Sequence, residues 1–131
     1  MTKSFMDFLT DARQLVEEIS VETAAEQMEA HGADLLLLDV REPDEVAKGH
    51  IPMALNVPRG LLEPKADLHF PNREPRLENR EQHIIVYCAS GARSVLAAAT
   101  LRQMGFSNVQ SMAGGIAAWQ SEGRDIVQDS W

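Results

Sequence analysis

Four leucines in a row, set between two aspartates in Asp34-Leu35-Leu36-Leu37-Leu38-Asp39-Val40, limit what this chain can fold into. A strand with one wet face alternates apolar and polar residues, whereas a run without alternation is buried on both faces, as in a parallel sheet. Leucine alone would permit a helix, but the run is short and sits between Gly32 and Pro43, which favours a strand. A second run, His83-Ile84-Ile85-Val86-Tyr87-Cys88, is β-branched and apolar and reads as the clearest strand.

Helices alternate with these strands. Phe5, Phe8, Leu9, Ala12, Leu15 and Val16 fall at helical spacing and predict an amphipathic helix over residues 4–18. Docking on the rest of the domain is the expectation for it, with a partner-binding helix as the alternative. Ser20 caps a second helix, residues 21–30, which Gly32 ends. Pro43 with Asp44 and Glu45 opens a short one. Prolines 52 and 58 leave room for a brief strand near residues 55–57. Residues 64–82 carry three prolines among polar residues and read as a long surface loop. Residues 92–104 are nearly all apolar after Ser94 and predict a buried helix ended by Gly105. A strand over 108–112 and a helix over 115–122 follow. The pattern predicts one α/β domain with a mainly parallel sheet. Its expected division is an N-terminal helix, 1–18, packed on a domain spanning 19–131.

At 131 residues the chain can bury a core without disulfides or metal. Its net charge of −8 argues against nucleic acid and anionic membranes as partners. One cysteine allows no internal disulfide, and the four histidines show no zinc spacing, so neither a metal nor a cofactor is expected. The N-terminus lacks the apolar stretch of a signal peptide, and a cytoplasmic location is the expectation.

The chemistry gathers where the second strand ends. Ligands of open α/β folds bind at the carboxyl ends of strands, and Cys88 stands at such an end. Ala89-Ser90-Gly91-Ala92 follows, and then a helix. Small side chains let successive backbone N–H groups converge on one point at a positive helix N-terminus. Such a nest favours the thiolate, and Arg93 adds a planar cation suited to an oxyanion. Ser90 and Ser94 are candidate donors to the thiolate or to a bound group. The chemistry expected is attack by Cys88 on sulfur, leaving a persulfide that a second nucleophile collects.

Four motifs then occur in order: Asp39-Val40-Arg41-Glu42-Pro43-Asp44-Glu45, Gly49-His50-Ile51-Pro52-Met53-Ala54, Tyr87-Cys88-Ala89-Ser90-Gly91-Ala92-Arg93-Ser94 and Gly114-Gly115-Ile116-Ala117-Ala118-Trp119. Together they closely resemble the rhodanese family, over residues 19 to 127. The resemblance implies a rhodanese-like three-layer fold with a parallel five-stranded sheet, to which the N-terminal helix is an addition. It also implies thiosulfate–cyanide sulfurtransferase activity through a persulfide. Cys88 matches the family nucleophile, and Ala89, Ser90, Gly91, Ala92 and Arg93 match its active-site loop. The partners implied are a small anionic sulfur donor, such as thiosulfate or a persulfide, and a thiol or protein acceptor. One departure is Met53, where the family usually has glycine, which bears on the local turn.

Around this centre, Asp39 ends the leucine strand, and the resemblance implies that it orients the loop or its neighbours. Arg41 and Glu45, four apart, are expected to pair at the start of a helix. Arg59 is a candidate anion guide or a solvated surface residue. His50 and Trp119 are assigned to packing, and His69 and Phe70 to a pocket wall. Two other functions compete. A phosphatase or arsenate reductase would use the same cysteine, but related folds with phosphatase activity place one more residue between cysteine and arginine than the four found here. A non-catalytic binding module would have no need of Cys88.

Overall fold

The computed structural model describes residues 1–128; positions 129–131 of the expected domain lie outside the described residues. Along the chain run α1 (Phe5–Arg13), β1 (Glu17–Ile19), α2 (Val21–His31), β2 (Leu35–Asp39), α3 (Pro43–Ala47), β3 (Leu55–Asn56), α4 (Leu62–Ala66), β4 (His83–Tyr87), α5 (Ala92–Gln103), β5 (Val109–Met112) and α6 (Gly115–Ser121). The sheet has the order β1-β5-β4-β2-β3, with each pair parallel. Both central strands, β2 and β4, are buried on both faces, as their unbroken apolar runs require.

Strand periodicity sorts their side chains into two cores. Leu36, Leu38, Ile84, Val86 and Cys88 face α4 and α5, where they meet Leu62, Ala97, Ala98 and Leu101. Leu37, Ile85 and Tyr87 face α2 and α6, where they meet Ala24, Ile116 and Trp119. The nucleophile candidate thus extends the Ile84–Val86 row, and Tyr87 points to the opposite layer.

The near-uniform apolarity of α5 has a structural cause. Ala97, Ala98 and Leu101 face the sheet, while Val95 and Ala99 are covered from outside by Leu9 and Ala12 of α1. Of the face expected on the first helix, only Leu9 and Ala12 are buried, whereas Phe5, Phe8 and Leu15 are exposed. The helix also stops at Arg13 rather than reaching residue 18, because Glu17–Ile19 pairs with β5 as an edge strand. Two glutamates in a three-residue strand carry no alternation signal, and charge is a common property of sheet edges.

Residues 64–82 are not the loose loop expected from the prolines. Pro64 sits in the first turn of α4, and Pro75 opens a 3₁₀ turn over Pro75–Leu77, positions where a missing N–H costs little. Ala66 and Leu77 reach the main core. Arg80 donates to the carbonyls of Ala66 and Leu77 and stacks on Phe106, pinning the segment. His69 and Phe70 are exposed on it.

Met53 takes up the left-handed backbone (φ 72°) that glycine would supply, with its side chain 87% exposed. A non-glycine residue pays about 1–2 kcal/mol there, while glycine costs about 0.5–1 kcal/mol through a freer unfolded chain. Replacing Met53→Gly should therefore raise unfolding free energy by about 0.5–1 kcal/mol. Urea denaturation would detect this as a higher midpoint at unchanged slope.

Candidate active site

Cys88 follows β4 directly, and its side chain is 1% exposed. The loop after it turns at Gly91, whose φ of 108° caps α5 in a conformation open to glycine. This turn brings the backbone N–H of Gly91 to 3.1 Å and that of Ser94 to 3.4 Å from Sγ. The sulfur thus sits at the mouth of a helix N-terminus, where the first N–H groups have no intrahelical acceptor. Ala89 and Ala92 are half-buried, and Ser90 is exposed at the loop's outer edge.

Helix α6 holds the loop from behind. The Ile116 and Ala117 N–H groups donate to the carbonyls of Cys88 (2.9 Å) and Ala89 (3.1 Å). A Cβ at Gly115 would lie 2.4 Å from the Cys88 carbonyl oxygen, so this approach requires glycine.

Ser94 plays a part different from the donor expected of its hydroxyl. That hydroxyl donates to the Gly91 carbonyl (3.1 Å), accepts from the Ser111 hydroxyl (2.9 Å), and lies 3.5 Å from the thiol, which donates to it. Ser111, fully buried on β5, is the residue that sequence reading missed. Its signal was a small polar residue inside a strand otherwise destined for the core.

The charged residues pair differently from the expectation. Arg41 does not pair with Glu45. Its guanidinium grips Asp39 through Nε (3.0 Å) and Nη2 (2.7 Å), and Nη2 also donates to the Gly49 carbonyl (2.8 Å). Asp39 and Arg41 are both buried, so losing either partner would strand a charge at a cost of roughly 3–5 kcal/mol. The Tyr87 hydroxyl accepts from the Ile51 N–H (3.1 Å) beside this pair. Burial, and then the Asp39 carboxylate, hold the Tyr87 phenol well above its usual range. This network ties the strand ends together beneath the loop.

Glu45 instead reaches across 48 residues of sequence to Arg93. Oε1 accepts from Nη1 at 2.7 Å and Oε2 from Nη2 at 3.0 Å. Oε1 also accepts from the Glu42 N–H at 2.9 Å, which closes a capping box on α3. Nearest-neighbour spacing on a helix favoured Arg41 as the partner, but the fold brings Arg93 over the same face. Arg59 is not brought to the thiol either. It donates to Glu63 and to Thr100, and Thr100 lies about 9 Å further along α5 than Ser94. His50 is half-buried, with Nδ1 2.9 Å from the Ile51 carbonyl and its backbone bridged to Val127. Trp119 is core, and its indole donates to the Asp125 carbonyl.

A family model for the rhodanese-like domain matches residues 20–122. The chain belongs to the rhodanese family. Its similarity to a sulfurtransferase of Allochromatium vinosum is 38% identity over 113 residues, covering 86% of this chain and 96% of that protein. Thiosulfate sulfurtransferase 16, chloroplastic, of Arabidopsis thaliana is 36% identical over 117 residues, 83% of this chain and 96% of its own. A solved structure from Rhodopseudomonas palustris, described as a protein of unknown function and possible tyrosine phosphatase, superposes with a TM-score of 0.90 at 30% identity. It covers 97% of this chain and 96% of its own. The protein is thus a rhodanese-type sulfurtransferase with one buried candidate nucleophile, Cys88.

Two outcomes follow for this rhodanese. Gly115→Ala forces the loop away from α6, and an ångström of misplacement can cost about a hundredfold in rate. Sulfur-transfer assays beside thermal melts should show activity falling further than stability explains. The second concerns acid. The Arg93 hydrogen bond lowers the Glu45 pKa from 4.5 to about 2. A carboxylate depressed in the folded state stabilises fully above its unfolded value and loses that contribution as pH falls through its folded value. The stability difference between wild type and Glu45→Gln should therefore hold above pH 4.5 and close between there and about 2. Melting temperatures across that window would measure it, and the effect is modest because the pair is a third exposed.

Proposed function

We propose that this protein takes sulfane sulfur from a small anionic donor, such as thiosulfate or a persulfide, and passes it to a thiophilic acceptor through a persulfide on Cys88. A thiol or a protein thiol is the acceptor in this reading, with cyanide a substitute in vitro. The observation that carries it is the pair of backbone N–H groups, from Gly91 and Ser94, aimed at a buried cysteine sulfur.

With thiosulfate, the Cys88 thiolate attacks the outer sulfur. The new S–S bond forms as the donor's S–S bond breaks, and its electron pair leaves on sulfite. Cys88 is left as a persulfide anion. The remaining N–H groups of residues 89–93 hold the outer sulfur, the part of the loop where Ser90, Ala92 and Arg93 contribute. The acceptor then attacks that outer sulfur and expels the Cys88 thiolate, which the Gly91 and Ser94 amides stabilise. Both steps conserve charge, and neither needs a general base once the thiol is ionised. Asp39 and Arg41 act at a distance, by fixing the strand ends on which the loop stands.

A Cys-dependent phosphatase is the second reading, supported by the description of the similar Rhodopseudomonas palustris structure. Loop length argues against it. Only Ala89, Ser90, Gly91 and Ala92 separate Cys88 from Arg93, which leaves a cradle closer to the size of one sulfur than of a phosphoryl group. The deciding measurement is mass spectrometry after thiosulfate treatment. It should find one extra sulfur on Cys88, which cyanide or a thiol removes and which Cys88→Ala never acquires. An unloaded Cys88 together with Cys88-dependent hydrolysis of an aryl phosphate would give the second reading the case.

A further inference from the structure

Ser111 stands on β5 opposite Val86 of β4, fully buried, so neither donor nor acceptor of sulfur can touch it. Among the described residues its hydroxyl has one partner, the Ser94 Oγ at 2.9 Å. Ser94 is also fully buried, and its oxygen sits between three groups: that hydroxyl, the Gly91 carbonyl at 3.1 Å and Sγ of Cys88 at 3.5 Å. A hydroxyl has one proton to donate and two lone pairs to accept with. Were Ser94 to donate to Ser111, the Ser111 proton would be a buried donor without an acceptor, which costs more than a hydrogen bond gains. The Ser111 proton therefore points at Ser94, and Ser94 keeps two directions for its own, the carbonyl and the sulfur.

The charge on Sγ decides between them. A thiol donates its proton to Ser94 Oγ, which leaves the Ser94 proton on the Gly91 carbonyl. A thiolate has no proton and accepts instead. Rotation about the Ser94 Cβ–Oγ bond then turns the hydroxyl proton to the sulfur with no heavy atom moved, exchanging a neutral hydrogen bond for a stronger charge-assisted one. The bond received from Ser111 polarises the hydroxyl and strengthens what it donates. We propose that Ser111 is a positioning residue for sulfur transfer: it keeps Ser94 a donor toward Sγ and so stabilises the thiolate expelled when the persulfide is discharged. This rests on the sulfurtransferase reading and deepens it. In discharge the acceptor bonds to the outer sulfur, the S–S bond of the persulfide breaks, and its electron pair returns to Sγ. That charge is absent from Sγ beforehand, so a donor aimed there acts on the transition state more than on the persulfide. The amides of Gly91 and Ser94 already point at the same atom, and the hydroxyl makes a third donor.

The test loads Cys88 with thiosulfate, removes the excess, and follows loss of the extra sulfur to cyanide by mass spectrometry. Ser111→Ala should discharge about threefold to tenfold more slowly than the wild type, the size of one net hydrogen bond. Ser111→Thr and Ser111→Val share a shape and differ in the hydroxyl, so the threonine chain should discharge faster than the valine chain by the same factor. In a Ser94→Ala chain, adding Ser111→Ala should change the rate no further, because the effect passes through the Ser94 hydroxyl. A residue that merely packs β5 against α5 would give equal rates for the threonine and valine chains, and its full effect in the Ser94→Ala background. Either result overturns the proposal, as does a folded Ser111→Ala chain at the wild-type rate. Thermal melts establish which chains are folded, and the alanine and the threonine–valine comparisons each decide if the other's chains are not. A wild type that never takes up sulfur from thiosulfate sinks the sulfurtransferase reading itself, an outcome distinct from ready loading with discharge indifferent to Ser111.

Discussion

The site depends on the contact between α6 and the carbonyls of Cys88 and Ala89. In a planar trans peptide the C=O and the next N–H point in opposite directions. Holding those two carbonyls toward α6 therefore turns the N–H groups of Ala89 and Ser90 away from it. Gly91 then bends the chain so that its own N–H and that of Ser94 meet the sulfur. Gly115 is the condition for all of this, since any Cβ there would overlap the Cys88 carbonyl. The N–H groups at Sγ are thus aimed by backbone direction, and side chains serve mainly to keep that direction.

Much of the fold could be read from local pattern because the local pattern is what the fold uses. The runs of β2 and β4 are apolar without a break because both faces are covered. Ser20 caps α2 as its position suggested, and Gly91 turns where a loop of small residues must turn. The misses share a cause. β1 is held by pairing to β5, residue to residue across most of the chain, and nothing in Glu17-Glu18-Ile19 itself announces it. Leu77 and Ala66 enter the core through a segment that composition alone marks as a loop. The partner of Glu45 was assigned by helix spacing, and the fold overruled spacing with a residue 48 positions away. The position of Cys88 between β4 and α5 was legible because strand, small-residue turn and helix lie in consecutive residues. Ser111 was not, because its role exists only once β5 lies beside β4.

Two ion pairs flank the site, and they do different work. Asp39 and Arg41 are buried, joined by two guanidinium nitrogens and supported by the Gly49 carbonyl. A buried pair adds little net stability over an apolar equivalent, but it is costly to break, so it acts as a register for the strand ends. Glu45 and Arg93 stand at the surface, a third exposed, where a pair contributes little to folding. What the outer pair does is hold both terminal nitrogens of Arg93, and with them the first turn of α5, against α3.

Burial of Cys88 has a consequence for the proposed cycle. At 1% exposure the thiol is shielded from bulk oxidants, which reach accessible thiolates most readily. Loading adds a second sulfur about 2.05 Å beyond the first. Packing against Ser94 and the core of β4 and α5 leaves that atom no room inward, so it must extend toward the loop and the exposed Ser90. The acceptor then meets the outer sulfur and not Sγ. Attack at the outer sulfur transfers it, whereas attack at Sγ would form a mixed disulfide with the enzyme. In that cycle the burial of Cys88 thus directs which of the two sulfurs is attacked.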